Sequence, residues 1–487
     1  MSRVGFLPPS KSLAHAAVCG ILLASLLAEC AQRAAPQLEE KRASSAEPPN
    51  IILVMTDDQD AASARHMPHL QSLMVERGAT FENAFVTNAL CCPSRATMLR
   101  GQYSRNHGIV GNIWPEGGFR KFRTSGSESS TIATWLKSAG YRTAYFGKYL
   151  NGYASAHVPP GWDEWNAVAG NYLSDHLSEN GEIRHYDPER FHDTDVLADK
   201  AIRYVDEASE KGPPFFVVIA PRAPHDPAIP APRHEEEFED APLPRPPSFD
   251  EGDVSDKPEW VREKPRLGRM EILAMESLYR NRLQSLQSVD EILPRLIETL
   301  REGGELDNTY IVFTSDNGYH MGEHRLPSLP SGKWTAYEED IRVPLVVRGP
   351  GVPEGRAVEQ ISLNNDLAPT FADFAGVKPS SFVDGRSLEP LLEEGEPPKD
   401  WRSAFLVEAG PDEFTGRPEL EAVRTGGHLY VEYENGEREL YDLEKDPHQL
   451  DNAYENADPD LLRRLEERLE ELRGCEGRSC RIAEGGS

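Results

Sequence analysis

Four apolar runs interrupt an otherwise polar chain: Asn50 to Thr56, Phe215 to Ala220, Tyr310 to Thr314 and Pro344 to Val347. None alternates with period two, which predicts strands buried on both faces of a mostly parallel sheet. Between them the apolar spacing is helical. Thr131 to Ala139 predicts a helix stopped by Gly140. A longer one is expected from about Glu271 to Arg301, with Leu283, Leu286, Leu293, Ile297 and Leu300 on its apolar side and Pro294 kinking or splitting it. Strands alternating with helices predict an α/β fold, a three-layer sandwich around a large mostly parallel sheet. His234 to Arg269, rich in Glu, Asp and Pro and without a period, predicts a long surface loop. The texture changes at Trp401. Ala422 to Tyr433 and Glu439 to Leu443 flank Asn435-Gly436, a hairpin turn sequence, and Leu462, Leu465, Leu469 and Leu472 mark one face of a helix. A large domain over 50–400 and a smaller α+β domain over 401–487 follow, in keeping with a chain of 487 residues.

The first 49 residues read differently. Arg3 and Lys11 precede an apolar stretch from Leu13 to Ala28 that is short for a membrane span, the pattern of an export signal over 1–30. Leu27-Ala28-Glu29-Cys30 resembles a bacterial lipobox, with Glu29 where a small residue is usual, so Cys30 is a candidate lipid anchor and the expected route to a membrane. Residues 31–49 have the composition of a disordered linker. The expectation is an exported protein of the bacterial cell envelope or exterior. Its net charge of −29 excludes nucleic acid as a partner and slows approach to a heavily sulfated polymer. Cys475 and Cys480 fit a disulfide in an oxidising compartment, or a zinc half-site whose second pair is missing.

Polar residues follow the apolar runs. Asp57 and Asp58 follow the first, His225 the second, and Asp316 and Asn317 the third. In α/β sheets, ligands bind outside the carboxyl ends of the strands. Adjacent buried carboxylates repel unless a cation neutralises them, and an all-oxygen set suits calcium or magnesium. The competing reading is that Asp58 or Asp316 caps a helix. Cys91-Cys92-Pro93-Ser94-Arg95 opens a short helix, with Pro93 at the first helical position and Gly101 as the stop. A helix N-terminus favours an anion, and Arg95 adds a forked cation. Two buried core cysteines at a helix start are the alternative.

From Cys91 to Gly101 the chain matches C-x-P-S-R-x-x-x-x-x-G and resembles the sulfatase family. The resemblance implies that Cys91 is oxidised by a formylglycine-generating enzyme and that the hydrated aldehyde is the nucleophile. It implies calcium, with magnesium as the alternative, held by Asp57, Asp58, residue 91, Asp316 and Asn317. Gly140 to Lys148 resembles the second family signature, with Phe146 in place of a smaller residue, and puts Lys148 on the sulfate. Ala223-Pro224-His225-Asp226-Pro227 resembles the histidine motif, with His225 as general acid. Lys333, after Pro330-Ser331-Gly332, matches the second lysine. The sequence departs at Leu150, where many members carry histidine; Lys148-Tyr149-Leu150-Asn151 resembles the glucosamine-6-sulfatase branch. His107 and His320 are candidates for the missing base. The implied reaction is hydrolysis of a sulfate ester, the 6-O-sulfate of N-acetylglucosamine, on a sulfated sugar or glycosaminoglycan fragment. Two rivals stand beside it: a metal-dependent phosphodiesterase or phosphonate hydrolase, and a sulfoglycan-binding protein with Cys91 unmodified.

Overall fold

Five of the strands that position the site are β1 (Asn50–Thr56), β2 (Arg142–Gly147), β3 (Phe215–Ala220), β4 (Thr309–Ser315) and β5 (Leu345–Arg348). The computed structural model describes residues 47–485 apart from 172–173, 211 and 330–331. The expected export segment, most of the linker and Cys30 lie outside the described residues. The five strands lie side by side in the order β5-β4-β1-β3-β2 within a ten-stranded sheet. Ala79–Phe81 and Arg356–Val358 extend it beyond β5, and Glu164–Val168, His176–Glu179 and Glu182–His185 extend it beyond β2. β4, β1, β3, β2 and Glu164–Val168 run parallel.

Successive β1 side chains feed opposite faces. Ile51, Leu53 and Met55 join one core cluster with Phe216 and Val218, while Ile52 and Val54 join another with Val217 and Ile219. This is why the run reads as continuously apolar: both faces are covered. The first face packs against α1 (Cys91–Arg100), α2 (Ile132–Ser138) and residues of a later helix, Leu367–Phe374. The second packs against α3 (Asp193–Ser209), the end of α4 (Arg269–Asp290) and α5 (Ile292–Glu302). The expected long helix is thus split at Glu291, and Pro294 becomes the third residue of α5, where its missing N–H leaves no intrahelical bond broken.

Three expectations need correction. The run Pro344 to Val347 forms β5, but antiparallel to β4. Only the short helix Glu338–Ile341 precedes it, too little for the helical crossover that parallel strands need. The segment 422–433 is two strands, Leu420–Thr425 and His428–Tyr433, because Gly426-Gly427 turns the chain. With Ala404–Ala409 and Arg438–Asp442 they make a four-stranded antiparallel sheet. The stretch 234–269 is a strap rather than a bare loop: it buries Val254, Lys257, Trp260 and Val261, and Lys257 Nζ donates to Tyr441 Oη at 3.0 Å and Leu450 O at 2.9 Å.

The C-terminal sheet shares the first core: Phe405 packs on Phe85 with ring centroids 5.0 Å apart. Buried Arg402 bridges Asp366 and Glu484, with Nη2 to Asp366 Oδ1 at 2.8 Å and Nε to Glu484 Oε2 at 3.0 Å. The last long helix, Pro459–Arg473, buries Leu465, Leu469 and Leu472. Cys475 and Cys480 are disulfide-bonded, which leaves no thiolate pair for zinc. Leu469→Ala is expected to lower the unfolding free energy by about 2–5 kcal/mol in urea melts, as large-to-small changes in packed cores do.

Candidate active site

β1 ends at Thr56, and Asp57 and Asp58 leave it together. Asp58 takes a left-handed conformation at φ 65°, a region that Asp tolerates better than most side chains and that persists where surrounding contacts hold it. Its N–H donates to Asp316 Oδ1 at 3.0 Å, and the Gln59 N–H donates to Ser315 Oγ at 2.8 Å, so the ends of β1 and β4 are tied. The Asp57 N–H reaches Ala223 O at 3.2 Å, which ties in the chain after β3 and brings His225 close. Three neighbouring parallel strands therefore deliver Asp57, Asp58, Asp316, Asn317 and His225 to one place.

α1 supplies the rest. It begins at Cys91 rather than at Pro93, which is its third residue; that position also needs no intrahelical N–H bond. Gly101 ends the helix at φ 67°, as its sequence position predicts. Cys91 Sγ lies 3.6 Å from Asp57 Oδ1, 3.7 Å from Asp58 Oδ1 and 2.9 Å from Lys333 Nζ. Lys333 also pairs with Asp58, and Lys148 Nζ is 2.5 Å from Asp57 Oδ2. Arg95 donates from Nε to Asp316 Oδ2 at 2.7 Å and from Nη1 to Lys148 O at 2.5 Å. His225 Nε2 lies 3.4 Å from Asp58 Oδ2, and its Nδ1 bonds Asp226 O at 2.7 Å.

Burial and neighbouring charge decide the ionisation. Burial pushes Asp57 above the usual carboxylate range, and nearby Asp316 adds to this. Burial acts the same way on Asp58, but Lys333 and His225 outweigh it and hold Asp58 well below that range. Lys333 is opposed by burial yet held above its ordinary value by Asp58, Cys91 and Asp57. Burial pushes the Cys91 thiol up to about 11 and drops His225 to about 4. Without a further ligand the thiol and the imidazole are both neutral at pH 7.

The oxygen donors Asp57, Asp58, Asp316 and Asn317 suit a hard cation. Asp57, Asp58, Cys91 and His225 each offer a ligand atom within 4.8 Å of the others. Asn317 Nδ2 donates to Asp58 Oδ1 at 2.7 Å and Gly318 O at 2.8 Å, while its Oδ1 is buried without a hydrogen-bond partner. An orphaned amide oxygen among three carboxylates is what an oxygen-seeking divalent ion would satisfy.

His107 stands apart in its bonding: Nε2 meets Thr97 Oγ1 at 2.9 Å, Nδ1 accepts the Ile109 N–H at 3.1 Å, and burial drops it to about 3. His320 Nδ1 bonds Asp340 Oδ1 at 2.9 Å, and its Nε2 is buried without a partner. Two residues escaped the sequence reading. Arg282 of α4 donates to Asp58 O at 2.5 Å and Pro224 O at 3.2 Å, bracing the turns of Asp58 and His225. The sequence trace is an arginine, two residues after Arg280, that falls next to Leu283 in a buried stripe. Asp340 accepts from Thr335 N at 2.9 Å and Thr335 Oγ1 at 2.6 Å as well as from His320, whose N–H reaches Gly332 O at 2.7 Å. Between Gly332 and Thr335 stand Lys333 and Trp334, the latter at a strained φ of 77°. Asp340 thus clamps the loop that carries Lys333.

Arg95→Met strands Asp316 and Asp57 without their guanidinium. In chelator-treated protein it is expected to cost about 3–5 kcal/mol in urea unfolding, and a change below 1 kcal/mol would contradict this role.

The Sulfatase family matches residues 49–377, and the family of the C-terminal part of N-sulphoglucosamine sulphohydrolase matches 322–474. An arylsulfatase of Volvox carteri is 37% identical, covering 89% of this chain and 75% of its own length. The N-acetylglucosamine-6-sulfatase of Homo sapiens is 36% identical, covering 89% of this chain and 86% of its own. A structure solved in complex with its substrate D-glucosamine-2-N,6-O-disulfate superposes with a TM-score of 0.76 at 28% identity, covering 90% of this chain and 99% of the other. With likeness along nearly the whole chain and the motif residues gathered around Cys91, the chain belongs to the sulfatase family and is a sulfate ester hydrolase.

Proposed function

We propose that this sulfatase removes the 6-O-sulfate of N-acetylglucosamine from a sulfated sugar or glycosaminoglycan fragment. The nucleophile is a formylglycine made from Cys91 by a formylglycine-generating enzyme, and calcium, or else magnesium, is the resident ion. The observation that carries the reading is the position of Cys91 Sγ, at the start of α1 and between Lys333 and the two aspartates. The relative named N-acetylglucosamine-6-sulfatase supports the choice of sugar, and the structure in complex with D-glucosamine-2-N,6-O-disulfate supports a glucosamine carrying a 6-O-sulfate.

As a buried thiol pushed up to about 11, Cys91 itself would be a poor nucleophile at neutral pH, so the reading assigns attack to its oxidised form. Asp57, Asp58, Asp316 and Asn317 would hold the ion, which when bound neutralises carboxylate charge and lowers the pKa of a hydroxyl on residue 91. Lys148 and Lys333, which now pair with Asp57 and Asp58, turn their charge to the sulfate oxygens, the electrostatic contribution that is usually largest in such sites. Arg95 keeps Asp316 in place and lies 3.7 Å from Asp57, so it orders the carboxylates first and adds positive potential behind the sulfate. Asp226 O fixes one nitrogen of His225 and leaves Nε2 facing the site; the anionic sulfate ester beside it favours the protonated ring, which then donates to the departing sugar oxygen. Leu150 is buried and carries no proton, and His107 has both ring nitrogens engaged, which supports His225, with Nε2 beside Asp58, as the donor of the leaving-group proton.

We also propose that the protein is exported to the envelope or exterior, with Cys30 as a lipid anchor. The Cys475–Cys480 disulfide favours an oxidising compartment. No helix among the described residues is long and apolar enough to cross a membrane.

Mass spectrometry of the peptide containing residue 91 is expected to find a hydrazide-reactive aldehyde in place of the thiol; an unmodified cysteine in fully active protein overturns the nucleophile. Cys91→Ala is expected to cut p-nitrophenyl sulfate turnover by about 10³-fold or more, as loss of a nucleophile does. A p-nitrophenyl phosphodiester turned over faster than the sulfate would instead favour the phosphodiesterase rival. Asp340→Asn, which loosens the Lys333 loop, is expected to lower kcat about 10- to 100-fold with the fold intact by circular dichroism.

A further inference from the structure

Next to the catalytic cluster the surface opens into a cleft of about 590 Å³, and His225 stands in its wall. The segments 174–177, 186–196 and 222–235 line most of it. Since His225 Nε2 faces Asp58 at 3.4 Å, an oxygen leaving sulfur beside that ring lies at the inner end of this cleft. Phe191 and Ile229 sit on the lining with 46% and 62% of their surface exposed, an apolar face of the kind on which a sugar ring stacks.

The charge of the lining is one-sided. Six carboxylates and two arginines contribute to it. Arg222 Nε is held by Asp193 at 2.9 Å, and Arg190 lies against the Phe191 ring at 5.6 Å. Asp195 is paired with Arg233 at 2.7 Å. Glu189, Asp226 and Glu235 have no ion pair among the described residues, and Asp226 directly follows His225. A second anion on the sugar would therefore meet three carboxylates without an ion pair against two guanidiniums, Arg222 already held by Asp193 and Arg190 lying against Phe191, a balance that stays negative. Discrimination by repulsion of this kind needs no additional attractive contact.

Resting on the sulfate-ester reading, we propose that this cleft receives the leaving sugar and selects by charge at its 2-nitrogen: it takes an N-acetyl or free-amine glucosamine and rejects one that carries an N-sulfate. The same field disfavours a uronate neighbour on that side, which points to monosulfated sugars as the natural substrates.

The test compares kcat/KM of the mature, calcium-loaded enzyme on three monosaccharides at low ionic strength: N-acetylglucosamine-6-sulfate, glucosamine-6-sulfate and glucosamine-2-N,6-O-disulfate. The disulfate is expected to be at least tenfold poorer than either monosulfate, and added salt is expected to narrow the gap. The double variant Glu189→Gln, Asp226→Asn is expected to narrow it at least threefold, read as a ratio so that any common loss of rate from the neighbour of His225 cancels. Equal or faster turnover of the disulfate overturns the inference while leaving the hydrolase intact. A gap that neither salt nor the double variant moves also overturns it, because the discrimination then lies elsewhere. Failure to cleave any sulfate ester, p-nitrophenyl sulfate included, removes the hydrolase reading and this inference with it.

Discussion

Three carboxylates crowded at neighbouring strand ends, out of water, set the terms for everything around them. Asp57, Asp58 and Asp316 are all essentially buried. Left alone they would repel one another and lose their hydration, which several kcal/mol per ion could not be recovered from packing. The chain answers with Arg95 on Asp316, Lys148 on Asp57 and Lys333 on Asp58, and with an amide oxygen on Asn317 that still lacks a partner. Three cations matched by three carboxylates leave little net charge; a divalent ion added to them would make the site positive, which suits a sulfate ester anion.

The fold makes this crowding possible. Parallel strands bring their carboxyl ends to one edge, about 4.8 Å apart, so three chain segments far apart in sequence converge. The apolar alternation that feeds Ile51, Leu53 and Met55 to one core and Ile52 and Val54 to the other fixes the register, and with it where Asp57 emerges. Helix α1 then approaches from the first face and presents Cys91 from its opening turn. Arg282 and Asp340 work from behind, bracing the turns so that the charged groups keep their places while substrate comes and goes.

Much of this was legible in the residues. The apolar runs of β1, β3 and β4 and the polar groups that follow them announced strand ends with a shared site. The Cys91 to Gly101 motif announced a helix start, and its stop at Gly101 is where the sequence put it. What was not legible depended on distant partners. The antiparallel course of β5 goes with a connection over 316–344 that carries only the short helix Glu338–Ile341 and no crossover helix, and apolar content is silent on direction. The Gly426-Gly427 turn was hidden inside a run whose flanks both favour strand. Lys257 and Trp260 sit in a stretch rich in Glu and Pro, yet the C-terminal sheet buries them. Asp340 and Arg282 look like ordinary surface charges until their hydrogen bonds are seen.

The account's central claim is that the carboxylate cluster is built around a divalent cation, and urea unfolding of chelator-stripped protein with and without added calcium tests it most directly. Binding only to the folded state is predicted to raise the unfolding free energy by about 2.7 kcal/mol at a free calcium concentration one hundred times Kd, and to raise it further as calcium increases. An unfolding curve that calcium and magnesium leave unmoved, in protein that still hydrolyses sulfate esters, would contradict it.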